Sequence, residues 1–337
     1  MSKKRIAILG AGSWGGTLAC LFANSGKDVQ LWTRDLAKAS QIQASRRIEQ
    51  PLKISFPPNV EISSDMEVCL KDADIIIFCC TSQSLRQVAL QAAISLEKLN
   101  RADDNLPCLV SAIKGLEIST LKRMSEVLAS ILPNYPICVL SGPNLAEEVL
   151  QGLPSAAAIA CEDLHAAQHV QSRLNSPTFR LYTNTDVVGV ELGGALKNVI
   201  AIAAGCSDGL KLGVNAKSAL LTRGLAEMSR FAQLMGAQPL TLAGLAGMGD
   251  LIATCAGMQS RNYRLGYALA QGGTTSDVLA GLGAVAEGVT TTRAVLDIAQ
   301  QKELELPIAQ QVKEMLQGTK SIKEAIETLM KRPLSSE

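Results

Sequence analysis

One lysine, one aspartate and a Ser-Arg-Asn run are the side chains best suited to moving a proton and holding an anion. Lys197 lies in the helical pattern Leu192-Gly-Gly-Ala-Leu-Lys-Asn-Val-Ile-Ala-Ile-Ala-Ala204, beside an apolar stripe of Leu192, Ala195, Leu196, Val199 and Ala203. A helical side chain leans over the preceding turn. For Lys197 that turn carries Gly193 and Gly194, so the amine is expected beside open space. Two glycines inside a helix cost about 1 kcal/mol each relative to alanine, and such a space is a reason to tolerate them. The spacing equally suits a lysine snorkelling from an ordinary helix. Ala246-Gly-Met-Gly-Asp-Leu251 predicts a turn that presents Asp250. Ser260, Arg261 and Asn262 read as a helix start with donors for an anion, or as a routine N-cap. Lys114 follows a strand at Leu109–Ile113, as a site lysine or a surface one.

Metal chemistry finds little support. The only histidines, His165 and His169, sit in the polar segment EDLHAAQHVQSRL, where a solvated helix face is the better reading. The nine cysteines include no C-x-x-C and fall mostly in apolar surroundings, such as Cys20, Cys79, Cys80, Cys138 and Cys161. They read as reduced core thiols. No metal is expected, and proton transfer falls to a residue other than histidine.

The elements that must position these side chains begin at residue 5. Ile6-Ala-Ile-Leu9 is a short apolar run suited to a strand buried on both faces. Gly10, Gly12 and Gly15 follow as G-x-G-x-x-G, Thr17–Asn24 is helical, and Val29–Trp32 is a second strand. In this β-α-β context Gly10 allows a tight turn, Gly12 lets a pyrophosphate approach the backbone, and Gly15 lets helix and strand pack closely. The pyrophosphate then meets a helix N-terminus. After the second strand stands Asp35, 20 residues beyond Gly15, with Arg34 directly before it. An acid there favours NAD(H) and an arginine favours NADP(H). Having both, the chain is expected to take either, with a lean to NADP(H).

The 337 residues suit two domains. Further strands are expected at Asp74–Cys80, followed by Thr81-Ser-Gln-Ser84, and at Ile137–Leu140, Ala156–Ala160 and Phe179–Tyr182. This gives roughly eight strands in a doubly wound α/β sheet of Rossmann type. From Val187 to about Arg332 only helices are predicted: Leu192–Ala204, Ala216–Met235, Arg261–Gln271, Val289–Gln301, Ile308–Leu316 and Ile322–Met330. The expected division is a dinucleotide-binding domain at 1–187 and an all-α domain at 188–337, with 333–337 frayed. The net charge of +1 and the lack of a Lys/Arg cluster argue against nucleic acid or an anionic membrane surface. The N-terminal apolar run breaks at Gly10, too early for a signal peptide or span, so a cytoplasmic protein without membrane insertion is expected.

The whole chain resembles the bacterial type of NAD(P)-dependent glycerol-3-phosphate dehydrogenase. The matching motifs are GAGSWG at 10–15, IKG at 113–115, SGPN at 141–144, GALKNVIAIAAG at 194–205, NAKSALLTRGLAEM at 215–228, AGMGDL at 246–251, QSRN at 259–262 and VAEG at 285–288. The resemblance implies reversible reduction of dihydroxyacetone phosphate to sn-glycerol 3-phosphate with NADP(H) or NAD(H), supplying phospholipid synthesis. A homodimer is expected, with the alanine-rich helices covering its interface or one another. It implies that Lys197 transfers the proton, with Asp250 beside it and Asn198 supporting it. Lys114, Gly142, Asn144, Ser260, Arg261 and Asn262 match substrate-contacting positions. Ser13, Trp14, Arg34, Lys114, Ala146, Arg261, Val285 and Glu287 match positions that contact the dinucleotide. Asn144 stands where relatives often carry a small hydroxyl residue, and it keeps a hydrogen-bond donor there.

Overall fold

The computed structural model describes residues 4–100, 106–282 and 286–333. Val285 and, apart from residue 333, the expected frayed end lie outside them. The described residues contain ten strands: β1 (Arg5–Leu9), β2 (Val29–Trp32), β3 (Arg47–Ile48), β4 (Ile54–Ser55), β5 (Val60–Ser63), β6 (Ala73–Phe78), β7 (Cys108–Ser111), β8 (Ile137–Ser141), β9 (Ser155–Ala160) and β10 (Phe179–Asn184). Eight of them form one sheet in the order β10-β9-β8-β7-β6-β1-β2-β5, while β3 and β4 form a separate ribbon. Every pairing in the large sheet is parallel except β8 with β9.

The central strands are continuous apolar runs because helices cover both faces. Ile75, Ile76, Ile77 and Phe78 are fully buried, with Ile75 and Ile77 in one core cluster and Ile76 and Phe78 in another. The edge strand β5 alternates instead, with Val60 and Ile62 buried and Glu61 exposed. The chain moves outward from β1 through β2 to β5, then returns to place β6 on the other side of β1. That reversal opens a crevice at the carboxyl ends of β1 and β6, where open α/β sheets bind ligands. Gly10 sits there at φ +131°, and a Cβ on it would come within 2.8 Å of the Cys79 backbone just after β6.

Beyond Asp186 the described residues contain no strand. The helix Val187–Gly209 is the axis of this half, longer than expected at both ends. Asp186 caps it, accepting from Gly189 N at 2.8 Å. This helix is long and apolar enough to cross a membrane, but 89% of its most apolar window is buried inside the protein. It is a core helix, surrounded by Gly213–Leu234, Asp250–Cys255, Arg261–Ala270, Glu287–Gln301 and Pro307–Leu316.

The expected turn around Gly247 and Gly249 is a π-helical one, Leu245–Gly249, that runs directly into Asp250–Cys255. Two of the helical expectations are corrected. Gly193 and Gly194 do not open a space beside Lys197. A Cβ on Gly193 would lie 2.6 Å from Ala246 O, and one on Gly194 would lie 2.4 Å from Ser141 Oγ. Both glycines exist so that the π-turn and the end of β8 can press against the helix backbone. The helix at the glycine-rich turn begins at Ser13, earlier than expected.

A buried charge also ties the helical axis to the sheet. Glu191, 2% exposed, accepts from Arg123 Nη1 at 2.9 Å, Ser125 N at 2.8 Å and Ser125 Oγ at 2.6 Å. Burial pushes its carboxyl above the ordinary value, against the pull of Arg123. Removing one partner of such a pair leaves the other charge stranded, at a cost of about 3–5 kcal/mol. Glu191→Ala is therefore expected to lower the urea midpoint by that much stability, and Glu191→Gln by less, at an unchanged m-value in equilibrium unfolding.

Candidate active site

At the glycine-rich turn the three glycines divide by cause. A Cβ on Gly15 would lie 1.9 Å from Gly10 O, so the helix could not pack there with any larger residue. A Cβ on Gly12 would meet nothing within 4 Å. The fold itself therefore demands glycine at 10 and 15 but leaves 12 free. Gly12 is also the N-cap of Ser13–Asn24 and offers no side-chain cap. An exposed helix start with unclaimed N–H groups and no side chain in front fits a pyrophosphate. Ser13 and Trp14 form the first turn, and Ala146 faces this helix, its carbonyl accepting from Thr17 Oγ1 at 3.4 Å. After β2, Asp35 caps the next helix by accepting from Lys38 N at 3.0 Å, while Arg34 is exposed with no partner among the described residues.

Across the crevice the helical half presents its own charges. Asp250, 2% exposed, is the first residue of Asp250–Cys255. Its Oδ1 accepts from Lys197 Nζ at 2.9 Å and its Oδ2 from Lys114 Nζ at 2.6 Å. Lys114 also donates to Gly142 O at 3.1 Å. One carboxylate thus joins a lysine beyond β7 to a lysine on the long helix. Lys197 is 7% exposed, so it does not snorkel to solvent. Burial, opposed by Asp250 and aided by the second ammonium at Lys114, brings its pKa down to about 8. Thr254, one turn beyond Asp250, accepts from Lys197 and donates to Asp250 Oδ1 at 3.2 Å.

The remaining expected residues separate. Ser260 is an N-cap, accepting from Tyr263 N at 3.3 Å. Arg261, next to it, is exposed and carries no hydrogen bond or ion pair among the described residues. Asn198 does not reach the Lys197 amine; its Oδ1 accepts from Asn262 Nδ2 at 2.9 Å. Successive helical residues point about 100° apart, so a neighbour of Lys197 faces another helix. Asn262 Oδ1 in turn accepts from Gly288 N at 2.9 Å. The two asparagines therefore hold three helix segments together. Asn144 spends its Nδ2 on Ala156 O at 3.0 Å. Glu287 accepts from Ser82 Oγ at 2.6 Å and Ser82 N at 3.3 Å, closing the crevice beside β6. Sequence reasoning missed Thr254, although its i+4 spacing from Asp250 was legible, and it missed the Ser82–Glu287 link. His165 is exposed, and His169 lies 3.9 Å from Asp74. Neither joins a metal-binding group among the described residues.

Known proteins share this arrangement over nearly its whole length. A family model described as NAD-dependent glycerol-3-phosphate dehydrogenase N-terminus matches residues 5–167, and its C-terminus counterpart matches residues 186–327. The glycerol-3-phosphate dehydrogenase [NAD(P)+] of Pediococcus pentosaceus is 44% identical, covering 99% of this chain and 99% of its own. The one from Geobacter metallireducens is 43% identical over 99% of both. A crystal structure of glycerol-3-phosphate dehydrogenase from Coxiella burnetii matches with a TM-score of 0.89 at 36% identity, covering 98% of this chain and 99% of that one. The chain belongs to the NAD-dependent glycerol-3-phosphate dehydrogenase family.

Proposed function

We propose that Lys197 is the proton donor with which this chain, an NAD(P)H-dependent glycerol-3-phosphate dehydrogenase, reduces dihydroxyacetone phosphate to sn-glycerol 3-phosphate. The single observation that carries the assignment is the buried Lys197–Asp250–Lys114 array facing the crevice. A nicotinamide cofactor bound at the glycine-rich turn would supply the hydride for the carbonyl carbon. Oxygen then needs a proton, and an ammonium with a pKa of about 8 gives one up readily near neutral pH. Asp250 orients that amine, and Thr254 holds it from a second side. Lys114 faces the same carboxylate and adds positive charge for the developing oxyanion. Arg261, which makes no hydrogen bond or ion pair among the described residues and feels the charge of Glu287, holds the phosphate and so fixes the ketone in reach. In the reverse direction neutral Lys197 takes the hydroxyl proton.

On the cofactor side, Gly12, Ser13, Trp14 and Gly15 would cradle the pyrophosphate, with Ala146 and Glu287 flanking. Arg34 would pair with a 2′-phosphate while Asp35 is occupied as an N-cap, which supports a preference for NADPH. The working unit on this reading is a cytoplasmic homodimer whose product feeds phospholipid synthesis, with the chain divided at 187/188. The nine free cysteines suit a reducing compartment. Exposed Val214, Leu240 and Ile252 on the helical half are surface that a dimer would cover.

Three measurements test the reading. Lys197→Ala is expected to lower kcat by roughly 10²–10⁴-fold, the usual weight of general acid catalysis, with the dissociation constant for NADPH unchanged. Near wild-type turnover would remove Lys197 from the proton transfer. The pH profile has a definite sign. Reduction needs the ammonium, so kcat/KM for dihydroxyacetone phosphate should hold below a pH of about 8 and fall above it. Oxidation of glycerol 3-phosphate should rise through the same pH. Finally, Gly12→Ala, whose Cβ meets nothing within 4 Å, should lower Tm far less than Gly15→Ala, whose Cβ would strike Gly10 O, yet weaken NADPH binding by more than about tenfold in calorimetric titration.

A further inference from the structure

The end of β2 carries two opposed charges, Arg34 and Asp35, and a third charged side chain stands close by. Lys38 lies in the first turn of the helix Leu36–Ser45. Its Nζ donates to Ala11 O at 3.2 Å, inside the glycine-rich turn. One ammonium thus bridges the two turns that face the adenosine half of a dinucleotide. The turn after β1 takes the pyrophosphate, and the turn after β2 reads the ribose.

The fold has no need of a cation at this place. A positive charge in the first turn opposes the helix dipole, and no acidic residue stands there to offset it. Lys38 makes no ion pair among the described residues, and its bond to Ala11 uses one of three N–H donors on a neutral carbonyl. Asp35 is not its partner in charge. The Asp35 Oδ1 accepts from the backbone N of Lys38 at 3.0 Å and caps the helix. That cap brings Lys38 against the residue next to Arg34, so the two cations leave the same turn. Arg34 is exposed, without a hydrogen bond or ion pair among the described residues.

A phosphate monoester carries a charge of about −1.5 to −2 at pH 7. Asp35 repels such a group and offsets the single charge of Arg34. A second cation restores a net attraction. A ribose that keeps its 2′-hydroxyl is uncharged at that position and gains little from one.

We propose that Lys38 is a specificity-determining residue for the cofactor, its ammonium pairing with the 2′-phosphate of NADPH alongside Arg34. The proposal rests on the dinucleotide reading of the glycine-rich turn. Ala11 O holds the amine in place and leaves two N–H donors for the phosphate. A lysine acts as a point charge where an arginine acts as a planar fork, so the two can share one phosphate.

The test is calorimetric titration of the full chain with NADPH, NADH, adenosine 2′,5′-bisphosphate and 5′-AMP. Lys38→Gln should weaken NADPH and the bisphosphate by about tenfold or more, the factor carried by one charge-assisted hydrogen bond. The dissociation constants for NADH and 5′-AMP should not change, which also shows that the turn is intact. Lys38→Arg should keep the preference for NADPH. Equal weakening of NADPH and NADH by Lys38→Gln would overturn the proposal, because the amine would then serve the pyrophosphate or the turn itself. Unchanged NADPH affinity in Lys38→Gln, beside a loss in Arg34→Gln, would also overturn it while leaving the dinucleotide reading intact. If Gly12→Ala too leaves NADPH binding unaltered, the dinucleotide reading falls and the proposal falls with it.

Discussion

The structure turns on one carboxylate that holds two ammonium groups. Asp250 faces Lys197 from the helical half and Lys114 from the sheet half, and it is almost wholly out of water. A buried ion pair is expensive unless its geometry is good and its remaining hydrogen bonds are met. Here Asp250 is bonded on both oxygens and Lys197 has Thr254 as a second acceptor. Two cations around one anion still leave a surplus positive charge where the dielectric is low. Burial lowers the pKa of Lys197 most, and the ammonium of Lys114 lowers it further. The same surplus of charge attracts an oxyanion. The second ammonium thus adds both to acid strength and to anion affinity.

That arrangement needs the long helix to lie very close to the carboxyl ends of the strands. The glycines at 193 and 194 make this possible, because each removes a Cβ that would strike Ala246 O or Ser141 Oγ. The π-turn then runs without a break into Asp250–Cys255 and so presents Asp250. Glu191, two residues before the glycines, locks the helix to Arg123 and Ser125. Ser82 and Glu287 provide a second fastening beside β6. The crevice is held from both sides by side chains that do not enter the reaction.

Much of this was legible in the sequence, and what was not has physical reasons. The central strands announced themselves as unbroken apolar runs because both faces are covered. The edge strand β5 escaped notice because it is four residues long and alternates around Glu61. Lys197, Asp250 and Arg261 could be singled out as chemical groups, and the glycine fingerprint had its strand and helix in place. Pairing could not be read: Lys114 and Asp250 lie 136 positions apart, and local pattern says nothing about contacts at that range. The glycines beside Lys197 were read as open space because sequence shows the missing side chain and not the backbone that fills its place. Asn198, to which the resemblance gives a supporting role, bonds Asn262 rather than the Lys197 amine, since adjacent helical residues point apart.

The net charge of +1 carries a last lesson about electrostatics. Both ligands of this family are phosphorylated, yet the chain as a whole is close to neutral. Attraction must then come from local arrangement, since a nearly neutral surface supplies little long-range field. The described cations of the crevice fall into two kinds. Lys114 and Lys197 are spent on a buried acid, so they act at short range and only on what enters. Among the described residues Arg34 and Arg261 make no hydrogen bond or ion pair, although Glu287 acts on Arg261 by its charge, and they lie in the sheet half and the helical half respectively. On the proposed reading the first kind would set the chemistry and the second would select the phosphates. Keeping the two kinds apart would let the proton donor hold a pKa of about 8 while the anions are held by groups that never lose their charge.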